Sequence, residues 1–262
     1  MRTTTGSWLN WIAVLALVAG LGIGAIGLAS AAGIWFGAWD FRTGFTLLQI
    51  ADSYAAWISG ACLAAAVIVT IFASRLHTGN ALKLGALALA GSIAAGIAYY
   101  IPESHRPPSG TPGIHDVSTD TVDPPQYVAV LALRGQTSNT TVYGGSPKMT
   151  PQKLAELTTT AFPDLKTRHY GAPPKQVFER ALAAVRDLGW DLVAAVPEEG
   201  RIEATDTTFW FRFKDDVVIR IRPDGTGSML DARSLSRIGG GDAGANARRL
   251  RRFLAILDDG AS

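Results

Sequence analysis

Gly239-Gly240-Gly241-Asp242 leads into a C-terminal segment with helical periodicity. The start of such a helix offers unpaired backbone N–H groups and the positive end of the helix dipole, a setting that attracts an anion. Arg233, Arg237 and Arg249 lie near enough in sequence to converge there. Arg233, Arg237, Gly239, Gly240, Gly241 and Arg249 therefore form a candidate site for a phosphate, a carboxylate, or an anionic lipid or glycan group. A structural reading competes with it. Asp242 is then itself the anion, capping the helix and pairing with Arg237, while Asn246 bonds the glycine loop from the buried flank of the helix. A carboxylate already at the cap weakens the case for an external one.

His115, Asp116, Asp120 and Asp123 fall within nine residues. An oxygen-rich cluster of this kind suits a metal ion or a polar, hydrogen-bonded loop, and its spacing matches neither a calcium loop nor a zinc site. Ser118, Ser234 and Ser236 are candidate nucleophiles, with His115 and His169 as candidate bases, but no nucleophile elbow joins them. No catalytic residue, metal or cofactor is assigned. The single cysteine, Cys62, sits in an apolar run, which excludes an intrachain disulfide.

The elements that must position these residues are those of an α+β domain over 126–262. Tyr127 to Leu133 reads as a short strand and Pro151 to Thr160 as a short helix. Pro173-Pro174 opens a helix with Phe178, Ala181, Leu182, Val185 and Leu188 on one stripe, closed by Gly189. Strands follow from Leu192, with turns at Glu198-Glu199-Gly200, Lys214-Asp215-Asp216 and Pro223-Asp224-Gly225-Thr226. With Asp224-Gly225 as the tip, Ile221 faces Ser228, Ile219 faces Leu230 and Val217 faces Ala232. A three-residue loop before that strand sets Val217, Ile219 and Ile221 against Phe213, Phe211 and Phe209. The opposite sheet face then carries Trp210, Arg212, Val218, Arg220, Arg222, Met229, Asp231 and Arg233, which is too basic for a core and should meet water or a partner. A last helix, Ala243 to Leu257, places Ala243, Ala247, Leu250, Phe253, Leu254 and Leu257 on its apolar side. The expected fold is two-layered, a mainly antiparallel sheet covered on one face by two helices.

Phe211-x-Phe213-Lys214-Asp215-Asp216-Val217, followed by Arg233-Ser234-x-Ser236-Arg237-x-Gly239-x-x-Asp242-x-Gly244-x-Asn246-x-x-Arg249, resembles the bacterial domain of unknown function 1499 family. The likeness is specific in its second half and extends more loosely from about Ile114 to Leu257. It implies an envelope protein in which a short set of N-terminal spans precedes the domain, and it implies no particular reaction. Other members are lipoproteins or soluble, and this chain lacks the N-terminal cysteine of the lipoprotein type.

Before Tyr100 the only charged residues are Arg2, Asp40, Arg42, Asp52, Arg75 and Lys83. Runs over about 8–29, 54–73 and 82–100 are long and apolar enough to span a bilayer, with Trp and Tyr near their ends. A cleaved signal peptide is the rival for the first run, because Leu28-Ala29-Ser30-Ala31 offers small residues. Gly20 and Gly24, like Gly91 and Ala95, are four apart and permit close helix approach. Asp52 opens the second span, where a solvated carboxylate and a proton-relay residue are the alternatives. Arg2, Arg75, His77 and Lys83 fall to one side and Arg42 to the other. The chain therefore starts in the cytoplasm and the domain after 101 is periplasmic, with 102–125 as a Pro-rich linker and polar loop. Taking the four basic and two acidic residues before Tyr100 from the 24 and 22 of the chain leaves equal numbers behind, which argues against nucleic acid. The function expected is a multi-pass protein of the cell inner membrane. Its partners are the lipid bilayer and an anionic envelope ligand or protein bound through the basic face or the glycine/arginine loop, without catalysis. The alternative is a membrane-anchored hydrolase using His115 or His169 with a nearby Ser or Asp.

Overall fold

The computed structural model describes residues 7–104, 106–146 and 148–259; Arg2, used for the orientation above, lies outside them. The chain divides into two compact units, Met1–Arg106 and Pro107–Ser262.

The first unit contains α1 (Ser7–Trp35), α2 (Phe41–Arg75) and α3 (Ala81–Ser104). All three are long and apolar enough to cross a membrane. Helix α2 begins well before the apolar run, with the Asp40 carboxylate accepting the Thr43 N–H as its N-cap. Hydropathy marked where the helix becomes apolar, whereas the cap marks where it starts, so the broad connector expected over 30–53 shrinks to a few residues. Helix α3 likewise continues through Pro102 to Ser104, beyond the expected start of the linker. Asp52 is neither isolated nor fully solvated, since Arg106 bonds its Oδ2 at 2.6 Å.

Large apolar side chains such as Leu15, Val18, Trp57 and Ile93 point outward, and the helices meet through small residues. A Cβ on Gly20 would lie 2.0 Å from the Gly91 carbonyl oxygen, and one on Gly91 would lie 2.4 Å from that of Ala16. This contact brings α1 against α3 as tightly as backbones allow. Ser59 and Ser92 donate to each other's carbonyl oxygens at 2.9 Å and tie α2 to α3. Gly91→Val should destabilise the helical unit by about 1–3 kcal/mol, the usual range for overpacking. Its midpoint in a detergent or denaturant titration should fall below that of Ile93→Val on the outer surface, and equal midpoints would reject the close contact.

The second unit is a six-stranded antiparallel sheet with helices on one face. Its elements are β1 (Asp116–Ser118), α4 (Pro151–Ala161), β2 (Arg168–Tyr170), α5 (Pro174–Asp187), β3 (Asp191–Val196), β4 (Arg201–Thr207), β5 (Lys214–Asp224), β6 (Gly227–Ser236) and α6 (Ala245–Asp259). Strand order is β1-β6-β5-β4-β3, with β2 also paired to β6. Val177, Phe178, Ala181 and Val185 of α5 and Leu250, Phe253, Leu254 and Leu257 of α6 pack on Ile202, Val217, Ile219, Ile221 and Leu230. The α+β fold class follows from these layers.

Several local expectations change. The β5–β6 tip is Gly225-Thr226, not Asp224-Gly225, so Ile221 faces Leu230, Ile219 faces Ala232 and Val217 faces Ser234. Gly225 supplies the positive φ that the first tip position requires. A shift of two residues leaves each side chain on its expected face, which is why the core survives it. Lys214, Asp215 and Asp216 begin β5 instead of forming a turn, and the loop is 208–213. Phe209, Phe211 and Phe213 therefore pair with no strand, and Val217 and Ile219 face Ala204 and Ile202. Two aspartates are tolerated in a strand because Arg249 holds Asp215 and Arg237 holds Asp216. Tyr127 to Leu133 forms a 3-10 helix, Ala129–Leu133, not a strand. The buried Glu203 carboxylate accepts the Val128, Ala129 and Val130 N–H groups, a partner invisible to local periodicity. Ala243 precedes α6 with positive φ and is not part of its stripe. Strand β1 lies within the segment assigned to the linker, pairing with Leu235, Ser234 and Arg233.

Candidate functional site

Part of the supposed basic face of the sheet is covered. Tyr127 and Val130 pack on Val218 and Leu235, and Arg220, Arg222 and Arg233 of the face meet carboxylates. Arg220 reaches Asp120, Asp123 and Asp231; Arg222 reaches Asp123 and Asp231. The carboxylates of the polar run His115 to Asp123 are thereby drawn into ion pairs. Asp120 and Asp123 neutralise Arg220, while Asp116 belongs to Arg233. Asp120 and Asp123 lie about a hundred residues before the cations they neutralise, beyond the reach of any local pattern.

The three arginines of the candidate anion site do not converge. Arg233 is fully buried, its guanidinium bonded to Asp116 at 2.9 and 2.7 Å and to the Pro125 and Thr141 carbonyls. The Tyr127 and Tyr143 rings lie 5.0 and 5.3 Å from its centre. Burial acts to lower its pKa, but Asp116 more than offsets this, so it stays charged. Burial likewise pushes the Tyr143 phenol up to about 12. Arg249, at the first turns of α6, bonds Asp206 at 2.7 Å, Asp215 at 2.6 Å and the Ser234 hydroxyl at 3.1 Å. Arg237 bonds Asp216 and the Leu133 carbonyl, not Asp242. The split follows from the fold: Arg233 projects from β6 on the face of Val218 and Leu235, whereas Arg249 comes from α6, which packs on the other face.

Asp242 does act as the local anion for the start of α6. Its oxygens accept the Gly244 N–H at 2.8 Å and the Asn246 N–H at 2.7 Å. Asn246 turns away from the glycine loop. It accepts from Ser234 and Arg249 and donates to Ser236 Oγ and the His115 carbonyl. Burial raises the Asp242 pKa, and the two N–H groups offset part of that rise. Asp242→Ala should cost about 0.5–2 kcal/mol, as removal of a cap does. A raised folded-state pKa means that stability is present below the unfolded value and lost as pH rises through the folded one. The parent's advantage in denaturant midpoint should therefore grow as pH falls toward 3.8; an advantage that shrinks would contradict the burial of this carboxylate.

The loop itself is fastened by Asn139, which stands in a segment without a periodic signal. Its side chain donates to the Ser236 and Gly239 carbonyls at 3.0 and 2.8 Å. Gly239 has a φ of +92°, and a Cβ on Gly241 would press on Gly113 at 3.2 Å. Beside the loop opens a cleft of about 310 Å³, lined by Gly113, Ile114, His115, Asp116, Gly144, Gly145, Lys148 and Gly240. His115 Nδ1 stands 3.4 Å from the Gly240 carbonyl. Of the candidate loop residues, Gly240 alone lines this cleft, together with His115 from the polar cluster and Lys148, which the sequence did not mark.

Among the described residues the two candidate histidines fall on separate parts of the sheet. His169 pairs with Met229 on β6 and its ring meets Asp224 at 2.6 Å. His115 lies beside Ser236, seven residues further along the strand, roughly 20 Å away at 3.3 Å per residue. Ser118 donates to the Asp120 carbonyl, and Ser234 and Ser236 are engaged by Asn246.

No curated protein matches the chain. The crystal structure of protein CV1439 from Chromobacterium violaceum aligns with 17% identity and a TM-score of 0.29, covering 36% of this chain and 94% of that one. The family model described as "Protein of unknown function (DUF1499)" matches residues 116–257, from β1 to the end of the α6 core stripe and over more than half of the chain, and the chain belongs to that family.

Proposed function

We propose that this is a multi-pass inner-membrane protein whose α+β domain stands in the periplasm and binds a small anionic envelope ligand, without catalysis, in the cleft beside Gly240. The observation that carries the reading is the cleft itself. It holds His115 and the exposed Lys148 among glycines whose backbone a ligand can approach closely. Asp116, its one lining carboxylate, is already neutralised by Arg233. Arg220, Arg222 and Arg233 of the sheet face and the arginine half of the glycine/arginine loop drop out as ligand contacts, because their guanidiniums are held by carboxylates of the domain itself. The bias of Arg2, Arg75 and Lys83 against Arg42 and Arg106 supports the orientation.

The test is thermal unfolding of the full chain with phosphate, sulfate and acetate at matched ionic strength. A ligand at a hundred times its Kd adds about 2.7 kcal/mol, so at least one anion should raise the parent midpoint, and Lys148→Ala and His115→Ala should blunt the rise. Equal responses in parent and variants would reject the cleft. Alkaline phosphatase fused after Ser262 should be active and a cytoplasm-dependent reporter silent; the reverse pattern would overturn the orientation.

A further inference from the structure

The cleft beside Gly240 is lined by apolar side chains as well as polar ones, Ile114, Val142, Met149 and Leu154. Ile114 and Leu154 belong to the domain core and are 1% and 3% exposed, so the cleft reaches down to core hydrocarbon. Val142 is 65% exposed and Met149 half-buried, which carries the apolar wall out to the surface. Two glycines of the lining are not called for by the fold. Gly144 has a φ of +60°, and a Cβ there would lie 2.3 Å from the Pro151 nitrogen; one on Gly145 would lie 2.7 Å from Val142. Gly113 and Gly240 lie outside the left-handed region, and a Cβ on either would meet nothing beyond its chain neighbours within 4 Å. Neither turn geometry nor packing requires glycine at 113 or 240, whereas an unobstructed cleft does.

We propose that the cleft takes a single-chain anionic amphiphile, with its head at Lys148 and His115 and a short apolar chain against Ile114, Met149 and Leu154. This rests on the anion reading of the same cleft and adds the ligand class to it. Charge selects the head, because Asp116 is already paired with Arg233 while Lys148 stands exposed at the opening. Size limits the chain. About 310 Å³ is at the lower end of the roughly 300–1,000 Å³ of small-molecule sites, which suits a few carbons and not a two-chain phospholipid. An inorganic anion would leave the apolar wall in water, whereas each methylene buried against it strengthens binding about fourfold.

Met149 is one of three methionines, with Met1 and Met229. In the full chain in phosphatidylcholine nanodiscs, the resonance of its isotope-labelled methyl group therefore reads occupancy of the cleft, and that of Met229 on β6 is the control. Titrated with acetate, propionate, butyrate and pentanoate at matched ionic strength, Met149 should report a Kd that falls about fourfold for each added methylene. Pentanol, which lacks the charge, should bind roughly tenfold more weakly than pentanoate, or weaker still. Lys148→Ala should weaken every carboxylate and keep the trend along the series. Gly113→Ala with Gly240→Ala should keep the melting temperature of the parent and flatten the trend. Equal affinity for acetate and pentanoate would overturn the inference and leave the anion reading intact, whereas a Met149 methyl that no carboxylate shifts would overturn both. A trend that survives the two alanines, or that Met229 reports equally, would overturn the inference as well, since the chain then lies outside this cleft.

Discussion

Arg233→Met is expected to lower the stability of the Pro107–Ser262 unit by about 3–5 kcal/mol, the range for removing one partner of a buried ion pair. The methylenes of the new side chain replace much of the lost volume, so the loss is mainly electrostatic. Asp116, only 4% exposed, is left ionised without its counter-charge, and the Pro125 and Thr141 carbonyls lose their donors. The flanking Tyr127 and Tyr143 rings offer the Asp116 carboxylate nothing in return, because their faces favour a cation. The diagnostic result is the double variant. Arg233→Met with Asp116→Leu should recover a substantial part of the loss, since an apolar pair avoids the desolvation of two ions. Urea unfolding followed by circular dichroism reads both. A single variant within about 0.5 kcal/mol of the parent, the range of an inert surface change, would show that the pair is not the buried anchor of β1 that its geometry implies.

What was legible in the sequence was whatever the chain encodes locally. The period of Phe178, Ala181, Leu182 and Val185 and the Pro-Pro start define α5, and both hold. The alternation of Val217, Ile219 and Ile221 defines the apolar face of β5, and an error of two residues in the hairpin register could not change that face. What was illegible depended on partners distant in sequence. Asp215-Asp216 has the composition of a turn until Arg249 and Arg237 are placed beside it, and Ala129–Leu133 is a short apolar run that reads as a strand until Glu203 takes its first N–H groups. The candidate site failed in the same way. Arg233, Arg237 and Arg249 are close along the chain, but strand alternation and the start of α6 send them to different sides, and no spacing rule supplies the carboxylates that claim them. Asn139 and Lys148 came from segments with no periodic signal, and only the fold brings them to Gly239 and Gly240.

The ion pairs also divide the domain's energetics by charge stoichiometry, which yields the second large effect. Asp216 is fully buried and serves two guanidiniums, Arg134 and Arg237, as well as the Thr205 hydroxyl. The side chains of Arg134 and Arg237 are only 6% and 11% exposed, and their excess positive charge is met by the carbonyls of Asn139 and Leu133. Asp216→Asn keeps the shape and removes the one negative charge, leaving two nearly buried cations facing each other, so a loss of about 3–5 kcal/mol is expected. Arg134→Met and Arg237→Met should each cost less, because Asp216 then retains one full partner. That ordering is opposite to the one expected if side-chain volume governed stability, since the arginines lose far more contact than the aspartate. The effect should extend to the cleft. Arg237 bonds through its backbone carbonyl to the Asn139 N–H, and Asn139 in turn holds the Gly239 carbonyl. Hydrogen exchange at Gly239–Asp242 should therefore accelerate in Asp216→Asn well before global unfolding, while exchange in the α5 core stays at the parent rate. Uniform acceleration across both regions would mean that Asp216 supports the fold as a whole and has no selective hold on the glycine loop.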